Sequence, residues 1–256
     1  MLEFQNVSAG YGTKDVLHDL TFTLQSGANY CLLGPNGCGK TTLLRAIDAL
    51  IPHRGRILLS GEEVSSIPRE RLAGRLALMS QSHEVYFSYT VQETVLLGRY
   101  RRMKRGLFRG ASREDLEAVE RCLEAVGLCD LRRRPIDQLS GGQLQRVFLA
   151  RALAQEPDVI LLDEPANHLD VRHQVELIDY LKEWSRDGRH SVIGVFHDVN
   201  LALRLSENLL FLRDGRLLRA GQFEEICDRA FLQEVFGLDL AGYMLESLET
   251  WRRLEI

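Results

Sequence analysis

The sequence predicts an α/β fold: a mostly parallel sheet, an N-terminal antiparallel β subdomain and an inserted helical subdomain. Three observations carry this. The chain opens with short runs in which apolar and polar residues alternate, the mark of strands half exposed to water. Further on, continuous apolar runs alternate with helical patterns, as in parallel sheets covered on both faces. Between about residues 69 and 134 the pattern is helical.

In chain order, Leu2–Val7 and Leu20–Leu24 alternate with period two and read as antiparallel strands. Tyr30–Leu33 is apolar throughout and reads as a strand buried on both faces. A Gly-rich loop and a helix from Thr41 to about Leu50 follow, then a strand over Arg56–Leu59 and a turn at Gly61. The helical insert carries a capping box, Ser112-Arg113-Glu114-Asp115, ahead of Leu116, Val119, Leu123 and Val126. The core resumes with a helix over 141–155, a strand over Val159–Asp163, a helix over 171–186 and a strand over Ser191–Phe196. A helix over 199–206 and a hairpin around Asp214-Gly215 complete it. The expected organisation is one domain over 1–256. Its core spans 1–68 and 156–221, its helical subdomain about 69–155, and a helical tail 222–256.

Composition narrows the function. The chain is 45% hydrophobic with a net charge of −4, which excludes a disordered protein. The balance of 32 basic against 36 acidic residues argues against a nucleic-acid partner. No apolar run approaches the roughly 18–20 residues that span a bilayer. Met1-Leu2-Glu3-Phe4 has neither the basic nor the apolar region of a secretion signal, so a cytosolic protein is expected. The five cysteines are an odd set without zinc spacing and read as free thiols.

Gly34-Pro35-Asn36-Gly37-Cys38-Gly39-Lys40-Thr41 fits G-x-x-x-x-G-K-[ST] at every fixed position, after a buried strand and before a helix. Glycines let successive backbone N–H groups face one anion, and the helix N-terminus adds its positive end. Lys40 brings a full charge to the β- and γ-phosphates, and the Thr41 hydroxyl is suited to Mg²⁺. The core is therefore of the P-loop NTPase kind.

Asp163 and Glu164 end an apolar strand, at the sheet edge where ligands of open α/β folds bind. Asp163 suits Mg²⁺ held through water. Glu164, one residue further out, suits the general base that orients and deprotonates the attacking water. His197 ends the next strand at the same edge, where an imidazole can sense the γ-phosphate. Gln81 follows the apolar run Leu76–Ser80, and its amide can ligate Mg²⁺ or touch water.

Leu139-Ser140-Gly141-Gly142-Gln143 opens a helix, with Ser140 as N-cap. With the phosphate loop, Asp163-Glu164 and His197 in this order, it resembles the ATP-binding subunit of ABC transporters over essentially the whole chain. The resemblance implies ATP and Mg²⁺ as cofactors. It implies that Tyr11 stacks on adenine beside Val16, and that Gly34 to Thr42, Thr42 included, surround the phosphates. It implies that Gln81 links Mg²⁺ to a permease, and that Ser140, Gly142 and Gln143 meet the nucleotide of a second subunit. Glu164 becomes the base, Asp170 the residue that contacts across the dimer, and His197 the switch histidine. The partners implied are a second copy paired head to tail, transmembrane permease subunits and, indirectly, a substrate-binding protein. The place implied is the cytoplasmic face of the membrane. Alanine at 166 stands where the family usually has threonine or serine.

Thr90 to Tyr100 and Phe196 to Ala202 also resemble importers of ferric siderophores, haem and vitamin B12. Metal-ion and oxyanion importers share much of this pattern; an exporter or a soluble ATPase of the family is a more distant alternative. Two expectations concern single features. Cys38, between loop amides and Lys40, is expected to favour the thiolate. The basic residues Arg99, Arg101, Arg102, Lys104, Arg105 and Arg109 are expected to form a surface cluster that docks on the permease and lipid headgroups.

Overall fold

The alternation at the N-terminus builds a β subdomain. In the computed structural model, which describes residues 1–80, 88–103, 110–167 and 169–253, β1 (Leu2–Tyr11) pairs antiparallel with β2 (Lys14–Leu24). Both strands outrun the expected Leu2–Val7 and Leu20–Leu24. Register shifts interrupt the pairing, and Asn6 (φ 51°) and Asp19 (φ 50°) sit in the left-handed region beside them. A bulge resets which side chain faces inward, so the alternation breaks where the strand continues. After β3 (Tyr30–Leu33) and α1 (Lys40–Ile47), β4 (His53–Leu59) pairs with β1, and β5 (Glu62–Glu63) closes a four-stranded sheet ordered β2-β1-β4-β5.

The short helix α2 (Arg69–Leu72) leads into β6 (Leu76–Met79), which corrects the expected start of the helical insert near 69. β6 pairs parallel with β7 (Val159–Asp163) in register Leu76↔Val159 to Met79↔Leu162, so it belongs to the core sheet. Leu-Ala-Leu-Met suits a helix by local propensity; its partner strand decides otherwise. The helices that do form the insert are α3 (Val91–Leu96), α4 (Arg113–Ala125) and the start of α5 (Gly141–Ala154). α3 and α4 each open on a complete capping box, Thr90 with Glu93 and Ser112 with Asp115.

The chain continues through α6 (Val171–Trp184), β8 (Ser191–Val195), α7 (Val199–Leu205), β9 (Asn208–Arg213) and β10 (Arg216–Gln222), turning at Asp214-Gly215 as expected. α8 (Phe223–Ile226), α9 (Arg229–Phe236) and α10 (Leu240–Arg252) form the tail. The main sheet runs β10-β9-β3-β8-β7-β6, parallel except for β10. One core lies between this sheet and the helices, with Val147, Ile178 and Phe211 buried in it. The other lies around α1 and the small sheet, with Phe4, Leu43 and Ile57. Register aligns the strand ends that matter: Val195 lies opposite both Leu32 and Asp163. The loops starting at Gly34, Glu164 and Phe196 therefore leave the sheet at one edge. No helix among the described residues is long and apolar enough to cross a membrane.

The expected basic cluster is corrected at its first member. Arg99 is 2% exposed; its Nε donates to Asp115 Oδ1 at 3.1 Å and its Nη1 lies 3.0 Å from Glu156 Oε1 and 3.1 Å from Ala154 O. It is an internal clamp between α4 and the end of α5. Two nearby acids and a helix-end carbonyl draw it inward, none of which a local charge count reveals. Arg102 shares Glu156 from outside; Lys104, Arg105 and Arg109 lie outside the described residues.

Candidate active site

The phosphate loop leaves β3 at Gly34. Its φ of 146° favours glycine, and a Cβ there would lie 2.0 Å from Leu212 O. The loop closes at Gly39, which caps α1 with φ 107° and offers no side chain to the helix's free N–H groups. No N-cap side chain thus competes with an anion for the first turn. Asn36 and Gly37 form the exposed tip, while Cys38, Lys40 and Thr42 are buried beneath it. Lys40 Nζ donates to Gly34 O at 2.7 Å and Pro35 O at 2.9 Å. Its charge is thus folded back over the loop's own carbonyls.

Cys38 overturns the thiolate expectation. Burial pushes its thiol up, outweighing the Lys40 charge that pulls the other way. Among loop amides the field is positive, but losing water costs a thiolate more.

Beside the loop, Thr41 Oγ1 donates to Asp163 Oδ1 at 3.1 Å. Asp163 is 2% exposed, and burial raises its pKa, partly offset by the Thr41 hydrogen bond. A buried carboxylate whose charge is so poorly compensated, next to a hydroxyl, is a fitting pair of hard oxygen donors for Mg²⁺.

Glu164 follows with φ 56°, an uncommon conformation for a residue with a side chain. Its Oε1 lies 2.5 Å from His197 Nε2, and its Oε2 accepts from Asn167 Nδ2. Its backbone carbonyl accepts from Gln145 Nε2 at 3.0 Å and from Asn167 N at 3.2 Å. Lys40, Thr41, Asp163, Glu164 and His197 are thus gathered at one edge, as expected. Val16 flanks the loop: a Cβ on Gly39 would meet its Cγ1 at 3.4 Å. Tyr11, at the end of β1, is exposed and tied to α1 by Arg45 Nη1, 3.1 Å from its hydroxyl.

Ser140, Gly142, Gln143 and Asp170 assemble elsewhere. They line a separate cleft with Arg146, Leu169 and His173. Ser140 Oγ accepts from Gln143 N at 3.3 Å, and Gln143 Oε1 accepts from Ser140 N at 3.0 Å, a complete capping box on α5. Asp170 caps α6, and hydrogen bonds from the His173 backbone and ring hold its carboxyl below the usual range. Gln81 lies outside the described residues. Sequence reading missed Asn167 and Gln145. Asn167 follows Glu164 by one turn and could have been suspected; Gln145 is brought in only by packing.

A phosphate loop, an acidic strand end, a histidine at the next strand and a capped Gly-Gly helix start define a nucleotide-hydrolysing cassette. The chain belongs to the ABC transporter family, whose profile matches residues 17–167, and it is the ATP-hydrolysing subunit of such a transporter. It is 39% identical over 236 residues to the "Probable siderophore transport system ATP-binding protein YusV" of Bacillus subtilis, covering 92% of this chain and 85% of that one. It is 37% identical over 238 residues to the ferric enterobactin transport ATP-binding protein FepC of Escherichia coli, covering 93% and 87%. Among solved structures, the dimeric bacterial ABC transporter cassette MJ0796 matches with a TM-score of 0.77 at 27% identity, over 87% of this chain and 98% of that one.

Proposed function

We propose that this chain works as a nucleotide-sandwiching pair on the cytoplasmic face of a membrane. There it would drive an importer whose cargo is a ferric siderophore or a related iron chelate such as haem. The cargo reading rests on the relatives, which include siderophore, enterobactin and haemin import subunits. The hydrolytic reading rests above all on one observation: Glu164 and His197, from neighbouring strands, meet at 2.5 Å beside the phosphate loop.

In this reading Tyr11 and Val16 flank the adenine, and residues 34–42 surround the phosphates. Lys40 exchanges its two carbonyl partners for phosphate oxygens, a charge-assisted bond in place of neutral ones. Thr41, Asp163 and Gln81 would hold Mg²⁺, which when bound would neutralise charge on the phosphates. Glu164 takes a proton from the attacking water, and His197 holds the carboxylate's other side and senses the γ-phosphate. Ser140, Gly142 and Gln143 of one copy meet the nucleotide on the other, across a contact that includes Asp170. Their separation from the phosphate loop within one chain supports this pairing, because the α5 N-terminus then faces a phosphate only in the dimer.

Co-expression with candidate permeases tests the assignment. The subunit should co-purify with one. In reconstituted vesicles its ATPase should rise on adding a binding protein loaded with ferric siderophore or haem. Stimulation by a molybdate- or zinc-loaded binding protein instead would reassign the cargo.

A further inference from the structure

The two halves of the site lie apart in this chain, yet one side chain joins them. Gln145 sits on α5, one turn beyond the Gly141-Gly142 start, and donates its Nε2 to the backbone carbonyl of Glu164 at 3.0 Å. Its other amide atom, Oε1, is buried and has no hydrogen-bond partner among the described residues. A half-satisfied buried amide gains little stability locally, since the unpaired oxygen costs about what the paired nitrogen returns. What the contact does is fix a peptide.

That peptide needs fixing. Glu164 occupies φ 56°, which nothing in a glutamate's own preferences sustains. The same carbonyl accepts from Asn167 N, and the carboxylate is held by Asn167 Nδ2 and His197 Nε2. Three of these four contacts come from residues in or next to the nucleotide edge. The fourth, from Gln145, comes from the helix whose N-terminus lines the Ser140–Asp170 cleft.

From this geometry we propose that Gln145 is a positioning residue for the ATPase reaction. It ties the backbone of Glu164 to the helix that meets the second copy's nucleotide, so docking at one half-site sets the aim of the base at the other. This rests on the reading of Glu164 as the base given above. A helix is stiff over one turn, so a small shift at Gly142 carries to Gln145 with little loss, and a misaimed base loses rate steeply.

The test compares Gln145→Leu, which keeps the volume and removes the donor, with Glu164→Gln and the unaltered full-length chain. kcat, KM and ATP affinity are measured, with the dimer fraction in MgATP by size-exclusion chromatography and the melting temperature. We expect kcat of Gln145→Leu to fall on the order of 10–100-fold, with ATP affinity within about twofold and an ATP-bound dimer that accumulates as in Glu164→Gln. A lost fold contact would instead lower affinity, dimer fraction and melting temperature together, and that result overturns the proposal. So does a kcat within twofold of the unaltered chain while Glu164→Gln is inactive. If Glu164→Gln itself turns over normally, the underlying assignment of the base fails, which is a separate outcome. Gln145→Glu, which cannot donate to a carbonyl when ionised, should match the leucine variant in kcat; wild-type turnover there also overturns the proposal.

Discussion

Two helix starts in this molecule are proposed to meet phosphate, and they are built in opposite ways. α1 begins at a left-handed glycine, so no N-cap side chain covers its first N–H groups. α5 begins at Ser140 with a reciprocal cap from Gln143, so its first turn is closed by its own side chains. The open start lies under a lysine folded onto loop carbonyls. The closed start lines a cleft with Arg146, Asp170 and His173. The difference teaches a division of labour. The start of α1 has no cap of its own, whereas the Ser140 helix is closed by its own side chains; in the function proposed above, the first is completed by its ligand and the second meets a second molecule.

Breaking the open side should have the largest effect. Glu164→Gln removes the proton acceptor and should lower steady-state ATPase by around 10²–10⁴-fold while ATP binding persists; turnover within twofold of the unaltered protein would refute the assignment. Lys40→Ala should fail at an earlier stage. Loss of the buried ammonium should weaken ATP binding by roughly 2–5 kcal/mol, read by a nucleotide titration, and equal affinities would misplace this lysine.

The frame behind the closed side is tested by stability. Arg99→Met leaves Asp115 and Glu156 without their shared partner and should cost about 3 kcal/mol or more in urea unfolding. Ser112 still donates to Asp115, which keeps the loss from being larger. Replacing the exposed Arg101 instead should change stability by less than about 0.5 kcal/mol, and equal losses would mean that Arg99 is no clamp.

Smaller effects sharpen the contrast between the two starts. Ser140→Ala removes a cap and should destabilise the protein by about 1 kcal/mol, with unchanged ATP affinity for the isolated subunit. A fall in that affinity would mean that both starts serve the same nucleotide. The smallest effect concerns Cys38. Burial raises the pKa of all three thiols, so access decides, and maleimide should label the buried Cys38 more slowly than the less buried Cys129 and Cys227. Labelling of Cys38 first would show that the loop opens readily without nucleotide.

Much of this was legible in the sequence because the signals are local. Gly34 to Thr41 fixes a loop, a helix start and a charge within a few residues, and the Val159–Asp163 run fixes both a buried strand and the carboxylate at its end. The capping box at Ser112 and the N-cap at Ser140 are likewise written in neighbouring residues and appear as read, the latter extended by Gln143 into a full box. Other readings failed where a distant partner outweighs a local preference. Leu76–Met79 became a strand because β7 offers it hydrogen bonds, and Arg99 went inside because Asp115 and Glu156 wait there. Cys38 stayed a thiol because the loop that gives it a positive field also strips it of water.

The sequence by itself determined the chemistry: which residues bear charge, which loop carries the phosphate-binding pattern and in what order the parts follow. Only the tertiary structure decided their aim. It set Glu164 at φ 56° between His197, Asn167 and Gln145, and it held Ser140 and Asp170 in a cleft of their own. The physical reason is range. Propensity, capping and loop conformation act within a turn or two, whereas hydrogen bonds between residues 19 and 33 positions apart exist only after the sheet has brought their strands and helices together.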